Sequence, residues 1–281
     1  MNSLLAWEPI IKTVELPNGP RLRYVEQGDP VGVPVVLLHG YSDSWRSFER
    51  VLPLLPSSIR AIAVTQRGHG DSGRPESGYR PTDFAADLAA VLDHLGTESA
   101  IVAGHSMGAT VAQRFAVDYP ERCDGLLLIG AFAAWRDNAA LVEFWHEAIA
   151  GLGDPIHPAF VREFQESTLA KPVPPAFLDR IVRESLKVPA RVWKAAYQAF
   201  LEDDTASRLT EIAAPTLIVW GERDAFCPQR DQETLAGSIP DARLVIYPGA
   251  GHGLHWELPM QFVVELLNFV AERAMAVRGA A

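Results

Sequence analysis

The sequence predicts an α/β fold, a mostly parallel sheet flanked by helices. Three observations carry that prediction. Short apolar runs recur along the chain, segments with helical spacing separate them, and glycine-containing turns follow several of them. Runs without polar alternation are what strands buried on both faces look like. Strand–helix–strand repeats imply parallel pairing with helices on both faces.

The elements follow in order. Thr13 to Leu16 and Arg21 to Val25, joined by Pro17-Asn18-Gly19-Pro20, read as an antiparallel hairpin at one sheet edge. Val35 to Leu38 is the first buried run and stops at His39-Gly40. Ile59 to Val64 ends before the turn-rich Arg67-Gly68-His69-Gly70-Asp71-Ser72-Gly73. Pro81 to Leu95 places Phe84, Leu88, Val91, Leu92 and Leu95 on one helical stripe, with Pro81 in the first turn and Gly96 as a stop. Ala100 to Ala103 is the next strand, followed by a helix over Met107 to Tyr119. Gly125 to Ile129, Thr216 to Trp220 and Leu244 to Tyr247 complete the strands, with helices over Gln229 to Ile239 and Phe262 to Val270.

One stretch breaks the rhythm. Residues 132–205 hold helical pieces separated by Gly151-Leu152-Gly153-Asp154-Pro155, Pro172-Val173-Pro174-Pro175 and Pro189, with no convincing strand. Ten of the chain's 25 aromatic residues fall there. Such an insertion is a second helical layer or a cap over a site. Because the sheet has helices elsewhere, the cap is the preferred reading. The expected organisation is a core of residues 1–131 and 206–281 with a helical cap over 132–205.

Composition excludes several function classes. With 281 residues and 48% hydrophobic content, the chain buries a full core without disulfide staples. Its 25 Lys and Arg against 35 Asp and Glu give a net charge of −10, which repels phosphate backbones and argues against nucleic-acid binding. Cys123 and Cys227, far apart, offer no zinc pattern and read as inert half-buried thiols of a reducing compartment. No apolar run approaches the roughly 18 residues of a membrane span. Met1 to Ile11 lacks a basic start and a long apolar run, so the expected location is the cytoplasm.

The chemistry centres on a serine. The strand ending at Ala103 runs into Gly104-His105-Ser106-Met107-Gly108, and a helix follows. The G-x-S-x-G pattern is common by chance, but its place between strand and helix gives it weight. A tight turn strains the backbone at the serine, and only glycine-sized neighbours let strand and helix approach. Ser106 then stands at the carboxyl ends of the strands, where open α/β sheets bind ligands.

A serine needs a base and an orienting acid. His252, in Gly249-Ala250-Gly251-His252-Gly253 after the last strand, is the candidate base. His255, three residues on, is its rival but lacks the glycine frame. His39 is suited to ordering a loop at another strand end, and His105 is expected to point away from Ser106. His69, His94, His146 and His157 read as structural. Asp224, at the end of Gly221-Glu222-Arg223-Asp224, is the candidate acid, with Asp137 as the alternative. Glu222 reads as a solvated charge. Asp224 would fix the tautomer of His252 and stabilise its imidazolium. The backbone N–H groups of Met107 and Tyr41 are the candidate oxyanion donors.

These residues carry a resemblance. From His39-Gly40 through Arg67 to Ser72, Gly104 to Gly108, Gly221 to Asp224 and Gly251-His252, with Glu257-Leu258-Pro259 and Phe262 behind, the chain resembles the α/β-hydrolase superfamily. That resemblance implies an eight-stranded, mostly parallel sheet with a variable cap after the sixth strand. It also implies a Ser–His–Asp triad needing neither metal nor organic cofactor. The family's epoxide hydrolases and haloalkane dehalogenases carry aspartate where this chain has Ser106. Two departures are Thr65-Gln66, where many members place an aspartate, and Ala109, where several esterase-like members have glycine. The expected substrate is a carboxylic ester of an apolar small molecule, with Trp145, Trp193 and Phe226 as pocket candidates. Lactone, amide or carbon–carbon hydrolysis, perhydrolysis, and a slow-turnover ligand receptor on the same fold stay open, as does the oligomeric state.

Overall fold

The computed structural model describes residues 7–279. The part of the Met1–Ile11 stretch that precedes residue 7 lies outside the described residues.

Eight strands form one sheet in the order β1-β2-β4-β3-β5-β6-β7-β8. They are β1 (Ile11–Glu15), β2 (Arg21–Gln27), β3 (Val33–Leu38), β4 (Ile59–Thr65), β5 (Ala100–His105), β6 (Cys123–Ile129), β7 (Thr216–Gly221) and β8 (Ala242–Tyr247). β1 pairs antiparallel with β2, and β2 with β4; every other pairing is parallel. The hairpin therefore lies at one edge, as the turn residues predict. β5 and β7 are buried along their whole length, which is why their sequence shows no polar alternation.

Helices α1 (Pro81–His94), α2 (Met107–Asp118), α7 (Gln229–Ser238) and α9 (Pro259–Gly279) flank the sheet. Two departures from the sequence reading have simple causes. α9 runs well beyond Phe262 to Val270 because only that stretch carries the apolar stripe; Glu272 beyond it pairs with Arg243 instead. The short α8 (Leu254–Glu257) spans one turn, too few residues to show a period.

Between β6 and β7 lie α3 (Ala139–Phe144), which continues as a π-helical turn through Ile149, then α4 (Pro158–Ser167), α5 (Pro175–Ser185) and α6 (Ala190–Leu201). No helix among the described residues is long and apolar enough to cross a membrane.

The strand order reverses at β3, with β4 on one side and β5 on the other. Leu38 pairs with Gly104 and His105 with Ile129, so the loops leaving β3, β5 and β6 emerge side by side. Such a switch point opens a crevice at the carboxyl ends of the strands.

Candidate active site

Ser106 occupies a strained turn between β5 and α2, with φ 54° and ψ −116°. Its N–H donates to Ile129 O at 2.9 Å, tying the turn to β6. The flanking glycines are required by contact. A Cβ on Gly104 would stand 2.1 Å from Gly108 O, and one on Gly108 would stand 2.4 Å from Leu38 O. Both neighbours are backbone and have nowhere to go. Gly108→Ala should lower stability by roughly 3 kcal/mol or more, seen as a fall of several degrees in Tm.

Asp224 stands three residues past β7 and His252 five past β8. Oδ2 of Asp224 accepts the Nδ1–H of His252 at 2.8 Å. Its Oδ1 accepts the N–H groups of Phe226 at 2.8 Å and Cys227 at 2.9 Å. The carboxylate side chain has no exposed surface and the imidazole is 4% exposed. A carboxylate only accepts, so Nδ1 of His252 carries the proton and Nε2 keeps its lone pair. Gly130, at φ 51°, makes room for the pair, since a Cβ there would lie 3.0 Å from Nδ1 of His252. The turn carrying His252 is held by Glu257, which accepts N–H groups from Gly251 at 3.0 Å and Ala170 at 2.7 Å. Glu257 thus spans the histidine loop and the inserted helices.

The other sequence candidates lie elsewhere. Asp137 is exposed on an outer groove with Arg136 and Arg230 and does not reach His252. His255 sits fully buried on α8, where its Nε2 lies 3.1 Å from Ser47 Oγ. Burial, with His252 nearby, lowers its pKa to about 3. His105 turns away from the cavity, with its Nε2 3.1 Å from the His252 carbonyl. Burial holds it neutral as well. Glu222 is not only solvated: its carboxylate accepts the Gly249 N–H at 2.9 Å. Both cysteines are buried rather than half-buried, Cys227 completely.

Ser106 and His252 line one aromatic cavity with Tyr41, Phe132, Trp135, Phe164, Tyr197 and Phe226, and its volume is about 30 Å³. Two expected pocket residues are absent from this lining. Trp193 is fully buried behind Tyr41, with ring centroids 4.9 Å apart, and its carbonyl accepts the Tyr41 hydroxyl at 2.6 Å. Trp145 is half-buried and stacks against Tyr197. Of the three candidates, only Phe226 faces the cavity. Tyr197, one turn beyond Trp193 on the same face of α6, lines it instead, and spacing alone does not say which turn lies over the cavity.

Met107 is the first residue of α2, so its N–H precedes the first intrahelical bond. The N–H of Tyr41 has no acceptor among the described residues. The loop holding Tyr41 is braced by His39 and Gln66. The Gln66 N–H donates to Nε2 of His39 at 2.9 Å, and the Gln66 side chain donates to the His39 carbonyl at 2.8 Å. Nδ1–H of His39 then donates to Gly40 O at 2.8 Å. The departure at Gln66 is therefore part of the loop's support.

The same loop carries Asp43, buried without a cation. Oδ1 accepts from Gln165 Nε2 on α4 at 3.0 Å, the Ser47 hydroxyl lies beside the carboxylate, and Glu184 on α5 faces it as a like charge. Burial raises its pKa to about 7. The folded protein keeps a proton on Asp43 between about pH 4 and 7, where the unfolded chain has lost it. This contribution to stability is complete below pH 4 and is lost as pH rises through about 7. Asp43→Asn should therefore gain stability relative to wild type between pH 5 and 8, by at most roughly 4 kcal/mol. Thermal melts across that range check it.

Residues 33–259 match the family model described as alpha/beta hydrolase fold. The chain belongs to the α/β-hydrolase family. Over 258 residues this hydrolase is 30% identical to a Synechocystis sp. protein named "Putative non-heme chloroperoxidase", covering 85% of this chain and 91% of that one. Over 124 residues, 42% of this chain, it is 40% identical to Epoxide hydrolase B of Mycobacterium tuberculosis, of which the match spans 35%. Among solved structures it is similar to the esterase RhEst1 from Rhodococcus sp. ECU1013, with TM-score 0.77, 28% identity and coverage of 93% of this chain and 98% of that one. The hydrolase keeps the eight-stranded, mostly parallel sheet that the resemblance implies.

Proposed function

We propose that this hydrolase cleaves carboxylic esters of small apolar molecules through an acyl-enzyme on Ser106. The carrying observation is the Asp224–His252 hydrogen bond, which leaves Nε2 of a buried imidazole as an acceptor in the cavity that Ser106 lines. His252 takes the serine proton as Ser106 attacks the ester carbonyl, then returns it to the departing alcohol. Water enters and the same residue repeats the cycle to release the acid. The N–H groups of Met107 and Tyr41 hold the oxyanion. Residues 132–205 act as the cap, since Phe164 and Tyr197 from that segment form part of the cavity wall. The aromatic wall disfavours anionic substrates, because a desolvated carboxylate would have no Lys or Arg partner in the lining.

A second reading has support from one observation. The likeness to the chloroperoxidase-named relative spans nearly the whole chain, which favours peroxide as an alternative nucleophile on the same acyl-enzyme. A panel of p-nitrophenyl esters of graded chain length, beside lactones, amides and a peracid-formation assay, tests both. Ester turnover with an acyl-enzyme burst is the expected result. Tight ligand binding without turnover would instead mark a receptor.

A further inference from the structure

The Asp224–His252 pair has a third donor beside it that acyl transfer does not use. Cys227 lies three residues beyond Asp224 with its thiol fully buried. Its Sγ is 3.8 Å from Nδ1 of His252 and 3.0 Å from the Gly130 carbonyl. A carboxylate oxygen, an imidazole nitrogen and a sulfur thus converge, all within 4.8 Å of one another. Ligand atoms around tetrahedral zinc stand roughly 3–4 Å apart, given metal–ligand bonds of about 2.0–2.3 Å. Shifts of about 1 Å would bring the three donors to that spacing.

We propose that Asp224, Cys227 and His252 form an inhibitory site for a thiophilic divalent cation of the zinc class. Sulfur binds as the thiolate, and its proton leaves to solvent. Nδ1 of His252 becomes a ligand, its proton moves to Nε2, and Asp224 exchanges its hydrogen bond for a bond to the metal. One dication, one thiolate and one carboxylate sum to zero, which removes the main cost of burying the charge. The N–H groups of Phe226 and Cys227 still hold Oδ1 of Asp224, the kind of support that orients metal-bound carboxylates. Burial, reinforced by the Asp224 charge, pushes the free thiol well above its ordinary pKa.

The effect on catalysis rests on the triad reading above: with a proton on Nε2, His252 donates toward Ser106 and no longer serves as its base. The site itself does not depend on that reading. Co²⁺ titrated into the full-length Ser106→Ala protein should give a thiolate-to-metal charge-transfer band that saturates at one equivalent and is displaced by Zn²⁺. The band should be missing when Cys227→Ala is added, with Cys227→Ser as the second variant should alanine impair folding. Zn²⁺ should also inhibit ester turnover by the wild type, reversibly with EDTA. Against Cys227→Ala its potency should be at least tenfold weaker, each protein being compared with its own metal-free rate. No cobalt band, a band that survives without Cys227, or equal inhibition of both proteins overturns the proposal. A wild type that turns over no ester would defeat the triad reading alone, and the cobalt band would still decide the metal site.

Discussion

Ser106→Ala should reduce ester turnover by about five to six orders of magnitude, the loss typical when the nucleophile of a triad is removed. The fold should survive. Alanine fits the space of serine, and the turn is held by backbone, through Ser106 N–H to Ile129 O and through the approach of α2 to β3 at Gly108. Steady-state kinetics on a p-nitrophenyl ester, beside a thermal melt, separate the two effects. A variant with Tm unchanged and kcat near wild type would remove Ser106 from the chemistry. A variant that binds substrate yet shows neither burst nor turnover is the expected outcome, because the aromatic wall remains in place.

Asp224→Asn should cost about four orders of magnitude in kcat with little change in KM. The amide group keeps the shape but reverses the logic of the hydrogen bond. Its –NH₂ can only donate to Nδ1 of His252, which drives the ring proton to Nε2 and blocks the base. Asp137→Asn should stay within about twofold of wild type, since Asp137 is exposed on the outer groove. Equal losses in the two variants would move the acid away from Asp224. Both experiments are best read through kcat/KM as well, because a change confined to KM would point to the cavity wall.

The strands were legible in the chain, and Ser106, Asp224 and His252 stood out as candidates, because each depends on local pattern. A buried parallel strand must be apolar throughout, and a tight strand-to-helix turn must carry small residues. What escaped depends on contacts between distant segments. Nothing near Gln66 in sequence announces a hydrogen bond to His39, and nothing near Gln165 announces that α4 reaches Asp43. Trp193 and Tyr197 share one face of α6 and both pack on Tyr41, so which of them borders the cavity depends on where along α6 the cavity lies, a packing result rather than a periodicity. Glu257 was noticed only through its family motif. Its purpose becomes plain when its two oxygens are seen to join the Gly251 and Ala170 amides.

The cavity above Ser106 has one last implication. At about 30 Å³ it has room for little more than a water molecule, whereas pockets that enclose organic ligands run to roughly 300 Å³ and above. A substrate of that size fits only if the wall that Phe164 and Tyr197 help to build gives way. On the ester-cleaving reading, the size of that opening would then act on selectivity before bond cleavage does.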